Sequence, residues 1–123
     1  MTDIQAADAL HMAGDIDAAA DVYRRVIAAD QGNFAAWYGL GGVRLRARAY
    51  GEASDALRHA VRLRPDDLGA WGLLAEVLFK LGDVERAIDA YRRVSAEPSM
   101  RAVAEENLAI IMPGSASAAN ADV

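Results

Sequence analysis

Apolar residues recur at three- and four-residue intervals through most of the chain, in blocks separated by short polar or glycine-containing breaks. Ile4, Ala7 and Leu10 stand at helical spacing behind Thr2 or Asp3, either of which can cap a helix start, and Gly14-Asp15 ends the block. A second helix, from about Asp17 to Ala29, gathers Ala19, Val22, Tyr23, Val26 and Ile27 on one face before the punctuation Gln31-Gly32-Asn33. The third starts at Phe34, carries Trp37, Leu40, Gly41 and Leu45, and stops near Arg48-Ala49. The fourth runs from Glu52 to Leu63 ahead of Pro65-Asp66. The fifth holds Trp71, Leu74, Ala75, Leu78 and Phe79 up to Gly82-Asp83, and the sixth runs from Glu85 to about Ala96 ahead of Pro98. A short seventh helix is predicted from Arg101 to Met112, and residues 113–123 have the composition of a flexible tail or linker. The pattern predicts seven helices in antiparallel pairs.

The pattern also repeats. Trp37 and Trp71 are 34 residues apart, and Ala19, Ala53 and Ala87 keep the same step, as do Tyr23, Leu57 and Tyr91. Gly14-Asp15 returns as Gly82-Asp83, and Tyr23-Arg24-Arg25-Val26 as Tyr91-Arg92-Arg93-Val94. A period of this size means that each unit is one supersecondary element, which buries its apolar face only by stacking on its neighbours. Such a stack presents extended surface rather than an enclosed pocket.

These residues resemble the tetratricopeptide repeat (TPR) family. The second unit meets the family pattern with Trp37, Leu40, Gly41, Ala53, Leu57, Ala60 and Pro65, and the third with Trp71, Leu74, Ala75, Leu78, Ala87 and Tyr91. The first keeps Ala7, Leu10, Gly14-Asp15, Ala19 and Tyr23 but has Gln31 where proline is usual. The resemblance implies an all-α, right-handed solenoid over residues 1–112, in units of about 1–33, 34–67 and 68–101 with a final helix at 102–112. Two departures stand out. Arg44 occupies a position held by Leu10 and Leu78 in the other units, so it must reach solvent or find a carboxylate. Pro98 comes one position early, after Val94 where a small residue is common, which should shorten the preceding helix.

Composition narrows the chemistry. The 123 residues are 54% apolar and 25% charged, as expected of one globular domain with a real core. There is no cysteine, so disulfides, thiolate metal sites and cysteine nucleophiles are excluded. The first residues lack the basic and apolar runs of a signal peptide, and no apolar run approaches membrane-spanning length, so a cytoplasmic setting is expected. A net charge of −5 argues against nucleic-acid and membrane partners. Twelve of the thirteen basic residues are arginine, which reads as composition before function.

By the family's register, the inner wall takes Asp8, His11 and Met12 from the first unit. Tyr38, Gly42, Leu45 and Arg46 come from the second, and Gly72, Glu76, Phe79 and Lys80 from the third, with Glu106 and Ile110 following. Gly42 and Gly72 are expected to widen the groove beside Tyr38 and Phe79. An aromatic, part-acidic channel suits an extended peptide with apolar and basic side chains; a plain solvated helix face accounts for the same residues. Some TPR proteins clamp a partner's C-terminal carboxylate with lysine and asparagine. The matching positions here are Ile4, Asp8, Tyr38, Gly42, Gly72 and Glu76, which rules that version out.

The recurring Arg24-Arg25, Arg58-His59 and Arg92-Arg93 each follow an aspartate (Asp21, Asp55, Asp89) at i+3 and i+4, the spacing of intrahelical ion pairs rather than of a phosphate stripe. Catalysis is not expected. His11 and His59 lie in different units, and Asp8 with His11 would give a metal only two ligands on an open face. Gly39, Gly41 and Gly42 lack the Lys-Ser or Lys-Thr of a phosphate loop, and no serine has a histidine and acid to partner it. No cofactor or metal is expected. The last helix is apolar nearly all round at Leu108, Ile110, Ile111 and Met112, where a helix that only caps a stack should be polar outside. That face is a candidate for homo-oligomer contact.

The sequence therefore points to a non-catalytic protein–protein interaction module using its concave groove. Two alternatives come with it. Similar arrays precede glycosyltransferase, sulfotransferase and hydroxylase domains, so the chain could be the N-terminal module of a larger enzyme. It could also be a scaffold that self-associates through the last helix.

Overall fold

Thr2 opens the first helix with a reciprocal pair of bonds. Its hydroxyl accepts from the Gln5 amide at 3.1 Å, and its own amide donates to the Gln5 side chain at 2.8 Å. Two of the amides that a helix start leaves without partners are satisfied in this way. Asn33 and Asp67, one repeat apart, accept from the amides of Ala36 and Ala70 at 3.1 and 2.9 Å. The computed structural model describes residues 1–96 and 98–111. Its helices are α1 (Asp3–Met12), α2 (Ile16–Ala29), α3 (Phe34–Arg46), α4 (Tyr50–Leu63), α5 (Leu68–Lys80), α6 (Val84–Ser95) and α7 (Pro98–Ile111). The predicted tail at 113–123 lies outside the described residues.

The turn inside each pair recurs at the repeat period. Gly14, Arg48 and Gly82 take left-handed backbone, with φ of 84°, 60° and 80°. Behind each, an amide folds back onto the last helical turn: Asp15 to the Leu10 carbonyl, Ala49 to Arg44 and Asp83 to Leu78, at 2.8–2.9 Å. This closure satisfies carbonyls the helix end would leave free.

Two helix starts differ from the sequence expectation by more than one residue. α4 begins at Tyr50 rather than Glu52, directly after the left-handed turn. α7 begins at Pro98 rather than Arg101, because proline at the first position of a helix gives up no intrahelical bond. α6 has 12 residues, against 14 in α2 and α4.

Small residues set how closely the helices approach. Ala7, Ala19, Ala53, Ala75 and Ala87 are fully buried. A side chain on Gly39 would overlap the ring of Tyr23, and one on Gly41 would begin 2.5 Å from Leu57 Cγ. The large residues Tyr23 of α2 and Leu57 of α4 therefore lie directly under glycines of α3. Arg44 resolves its misplacement through a partner: its side chain is 13% exposed and its Nε lies 3.0 Å from Glu52 Oε2 on α4.

The stack has an inside and an outside. Each helix packs on the next in sequence, and α1 also touches α3, as α3 touches α5. Among the described residues no comparable contact joins α2 to α4 or α4 to α6. The first helices of the pairs thus crowd together while the second ones splay, so the row α1–α3–α5 forms the concave wall.

Candidate binding wall

Of the groove positions expected from the sequence, Asp8 and His11 belong to α1, Tyr38, Leu45 and Arg46 to α3, and Glu76, Phe79 and Lys80 to α5. At the α1–α3 junction, Arg46 Nη1 donates to the His11 carbonyl at 2.6 Å. A cation is thereby placed at the C-terminal end of α1, where free carbonyls and the helix dipole favour it. The His11 ring lies against Gly42, whose missing β-carbon would sit 3.4 Å from Cε1. Gly42 therefore borders the imidazole, where a β-carbon would stand at about van der Waals contact. Burial, followed by the nearby Arg46, lowers the His11 pKa below its ordinary value against an opposing pull from Asp8, which leaves the ring neutral at pH 7.

At the α3–α5 junction the Tyr38 hydroxyl leans over Gly69, whose β-carbon position is 3.1 Å away. Burial and the neighbouring Asp67 both raise the Tyr38 pKa. Tyr38 also tilts against Phe34, with ring centroids 5.6 Å apart. Tyr38, Leu45 and Phe79 are half-buried and pack on the core formed by α4, α5 and α6. Their apolar surface is partly committed to holding the stack together, which amends their reading as free groove lining.

The wall's acids are held from behind. Asp8 is exposed and accepts a hydrogen bond from the hydroxyl of buried Tyr23 on α2. One double period later, exposed Glu76 lies near buried Tyr91, whose pKa is raised by burial and then by that carboxylate. The middle unit has Gly42 and Leu57 at these two positions, so the acids flank a neutral centre. Arg46 and Lys80, both exposed, stand one helical turn beyond that ring of positions. Charge is therefore segregated along the helix axes, acids in the middle of the wall and cations at the C-terminal ends. Met12 is 87% exposed at the same edge.

The second face behaves differently from expectation. Arg24 pairs with Asp21 at 3.0 Å and Arg58 with Asp55 at 4.0 Å, as i, i+3 spacing requires. The following positions do not make the expected i+4 pairs. His59 stacks on Trp37 at 4.0 Å between centroids, and Arg93 lies over Trp71 at 4.4 Å. A cation or imidazole gains at least as much from a large π face as from an exposed carboxylate. The sequence did carry a signal for this, since Trp37–His59 and Trp71–Arg93 have identical spacing. The indole nitrogens tie the same two helices to the loops before them, donating to the Gln31 and Pro65 carbonyls at 2.8 Å. The carbonyl is what is used there, so Gln31 replaces proline without loss of that bond.

On α7, Leu108 packs on the core and Ile110 is 60% exposed. Glu106 is exposed as well. Met112 and the Ile111 side chain lie outside the described residues. Among the described residues no group of three His, Asp or Glu side chains is arranged to hold a metal, and no helix is long and apolar enough to cross a membrane.

The family described as anaphase-promoting complex, cyclosome, subunit 3 matches residues 12–94. Among solved structures, MamA superposes with a TM-score of 0.85 at 25% identity, covering 91% of this chain and 61% of that one. The first TPR of Spaghetti (RPAP3), solved bound to the HSP90 peptide SRMEEVD, gives 0.84 at 24% identity, over 91% of this chain and 89% of that one. The type III secretion translocator chaperone SycD of Yersinia enterocolitica gives 0.79 at 15% identity, over 90% of this chain and 79% of that one. The latter two speak to the fold alone. The chain spans 61–64% of the MamA chains it resembles. A comparison with curated proteins gives no match.

Proposed function

The chain belongs to the family described as anaphase-promoting complex, cyclosome, subunit 3, a TPR-like repeat family, and on that premise we propose that it is a non-catalytic interaction module whose concave wall holds an extended peptide. Family membership speaks to the repeat and its surface; the ligand is read from the chain's own residues. The observation that supports the reading is the contact of α1 with α3 and of α3 with α5, the helices to which the eight proposed side chains belong.

The ligand chemistry follows from the middle of that row. Asp8 and Glu76 attract basic side chains, while the outward parts of Tyr38 and Phe79 suit apolar ones. RPAP3 is the instructive contrast, because the peptide in that structure, SRMEEVD, is acidic towards its C-terminus. A wall with Asp8 and Glu76 at its centre would repel such an end. We therefore assign a peptide alternating apolar and basic residues.

Calorimetric titration with a blocked heptapeptide alternating leucine and arginine tests this. Wild type is expected to bind it, and to bind the same peptide with serine for arginine more weakly. Glu76→Lys, an exposed change, is expected to weaken binding by about tenfold at unchanged melting temperature, the scale of one charge-assisted hydrogen bond. Equal affinity in the variant would discard the wall as the site.

A further inference from the structure

The outer face has a second recess, and comparison of equivalent positions within the chain shows how it arose. Between α2, α3 and α4 lies a cleft of about 220 Å³ lined by Arg24, Trp37, Leu40, Arg44, Glu52 and Asp55. One repeat later, between α4, α5 and α6, the same positions return as Arg58, Trp71, Leu74, Leu78, Arg86 and Asp89 around a cleft of about 400 Å³. Four positions keep their residue type. Two change: Arg44 becomes Leu78, and Glu52 becomes Arg86.

Those two changes, together with Arg62 and Arg93 where the preceding repeat has Ala28 and His59, make the site cationic. In the first cleft Arg24 and Arg44 are balanced by Glu52 and Asp55, and the 3.0 Å Arg44–Glu52 pair lies across the recess. In the second, the pair is gone and the floor is apolar, made by Val61, Trp71, Leu74 and Leu78. Arg62 and Arg93 join Arg58 and Arg86 on its rim, against the single carboxylate of Asp89. Arg58 and Arg62 are one turn apart on α4, and Arg86 and Arg93 two turns apart on α6, so cations face each other across the apolar floor. Asp55 and Asp83 reach Arg58 and Arg86 from outside, at 4.0 and 3.7 Å, distances too long to be strong pairs. Arg93 caps the floor by lying over Trp71.

A chain of net charge −5 that concentrates four guanidiniums around one apolar recess has built a local complement to negative charge. We propose that this outer cleft binds an acidic peptide segment, with carboxylates on both sides of one apolar side chain. The apolar group fills the floor over Leu74 and Leu78, and the carboxylates meet the arginines of α4 and α6. Nucleic acid fits less well, because phosphate tracking needs an extended basic footprint and these cations are confined to one recess. The site is separate from the concave wall and takes a ligand of opposite charge, so the two readings stand or fall independently.

The test uses a blocked pentapeptide of four glutamates around a central leucine, titrated calorimetrically into the full chain. Binding is expected, weakening as salt rises, and Arg62→Glu with Arg86→Glu should reduce it by about tenfold or more. Arg62→Ala with Arg86→Ala should do the same more mildly, and serves if the charge reversals disturb folding. Arg24→Glu, in the first cleft, should leave the affinity within about twofold, and the leucine–arginine peptide should bind the Arg62/Arg86 variants as it binds wild type. The proposal is overturned if the pentapeptide does not bind, if the Arg62 and Arg86 variants bind it as wild type does, or if a ten-nucleotide oligothymidylate binds the cleft more tightly than the peptide.

Discussion

Tyr23 is 1% exposed at the base of the first helix pair, yet its hydroxyl reaches Asp8 on the concave wall. A core residue thus fixes the direction of a surface carboxylate. Tyr23→Phe is expected to lower stability by about 2 kcal/mol at pH 7, since a bond from a buried donor to a charged acceptor is lost. The pH dependence has a definite sign. Burial, and then Asp8, hold the Tyr23 pKa well above its ordinary value, so the phenol stays protonated in the folded state after the unfolded chain has begun to ionise. The contribution of that group is complete below about pH 10 and is lost as pH rises through the folded value. Urea unfolding of both proteins at neutral and strongly alkaline pH should show their difference narrowing at high pH; a constant difference would mean that the bond is not what distinguishes them. At this scale the sequence was partly readable. Arg44 stands at an apolar position, so its need for solvent or a carboxylate followed at once, and Glu52 supplies the carboxylate. The Asp8–Tyr23 bond was not readable, because an acid on the exposed face of one helix and an aromatic on the core face of the next are assigned separately until their distance is known.

Within the helix pairs, the turn at Gly14, Arg48 and Gly82 marks where one repeat departs from its siblings. All three are left-handed, and only Arg48 carries a side chain there. Left-handed backbone costs an ordinary L-residue roughly 1–2 kcal/mol, part of which returns as the lower unfolded-state entropy of a non-glycine residue. Arg48→Gly is therefore expected to stabilise by about 0.5–1 kcal/mol, seen as a melting point a few degrees higher. A lower melting point would show that the Arg48 side chain contributes something the backbone cost conceals. Helix breaks and caps were the most legible part of the chain, since glycine, asparagine and aspartate mark them by local chemistry. The start of α7 was less so. In the sequence Pro98 reads as a stop signal, whereas proline ends a helix when approached from its N-terminal side and begins one equally well. The pairing of His59 and Arg93 with the tryptophans was missed for another reason: an aspartate on the same helix offered a nearer partner in sequence than an indole on the helix before.

Across the whole molecule, the 34-residue period does more than stack helices. It gives every position a counterpart, so departures from the repeat become visible as sites. The wall holds acids in its first and third units around a neutral middle, and a handful of exchanges, Arg44 to Leu78 and Glu52 to Arg86 among them, separate a charge-balanced outer cleft from a cationic one. The curvature that makes one row concave was implied by the TPR resemblance, and the contacts among α1, α3 and α5 now account for it. The chemistry of the wall was legible as a list of residues; which of them are also structural was not, because half-burial of Tyr38, Leu45 and Phe79 depends on how closely neighbouring units approach. The central claim is that this wall is the peptide-binding surface. Following the backbone amides by NMR while titrating the leucine–arginine peptide tests it most directly. The shifts should concentrate on α1, α3 and α5, strongest around Asp8, Tyr38 and Glu76, with α2, α4 and α6 little changed. Shifts confined to α2, α4 and α6, or none at saturating peptide, would contradict the account.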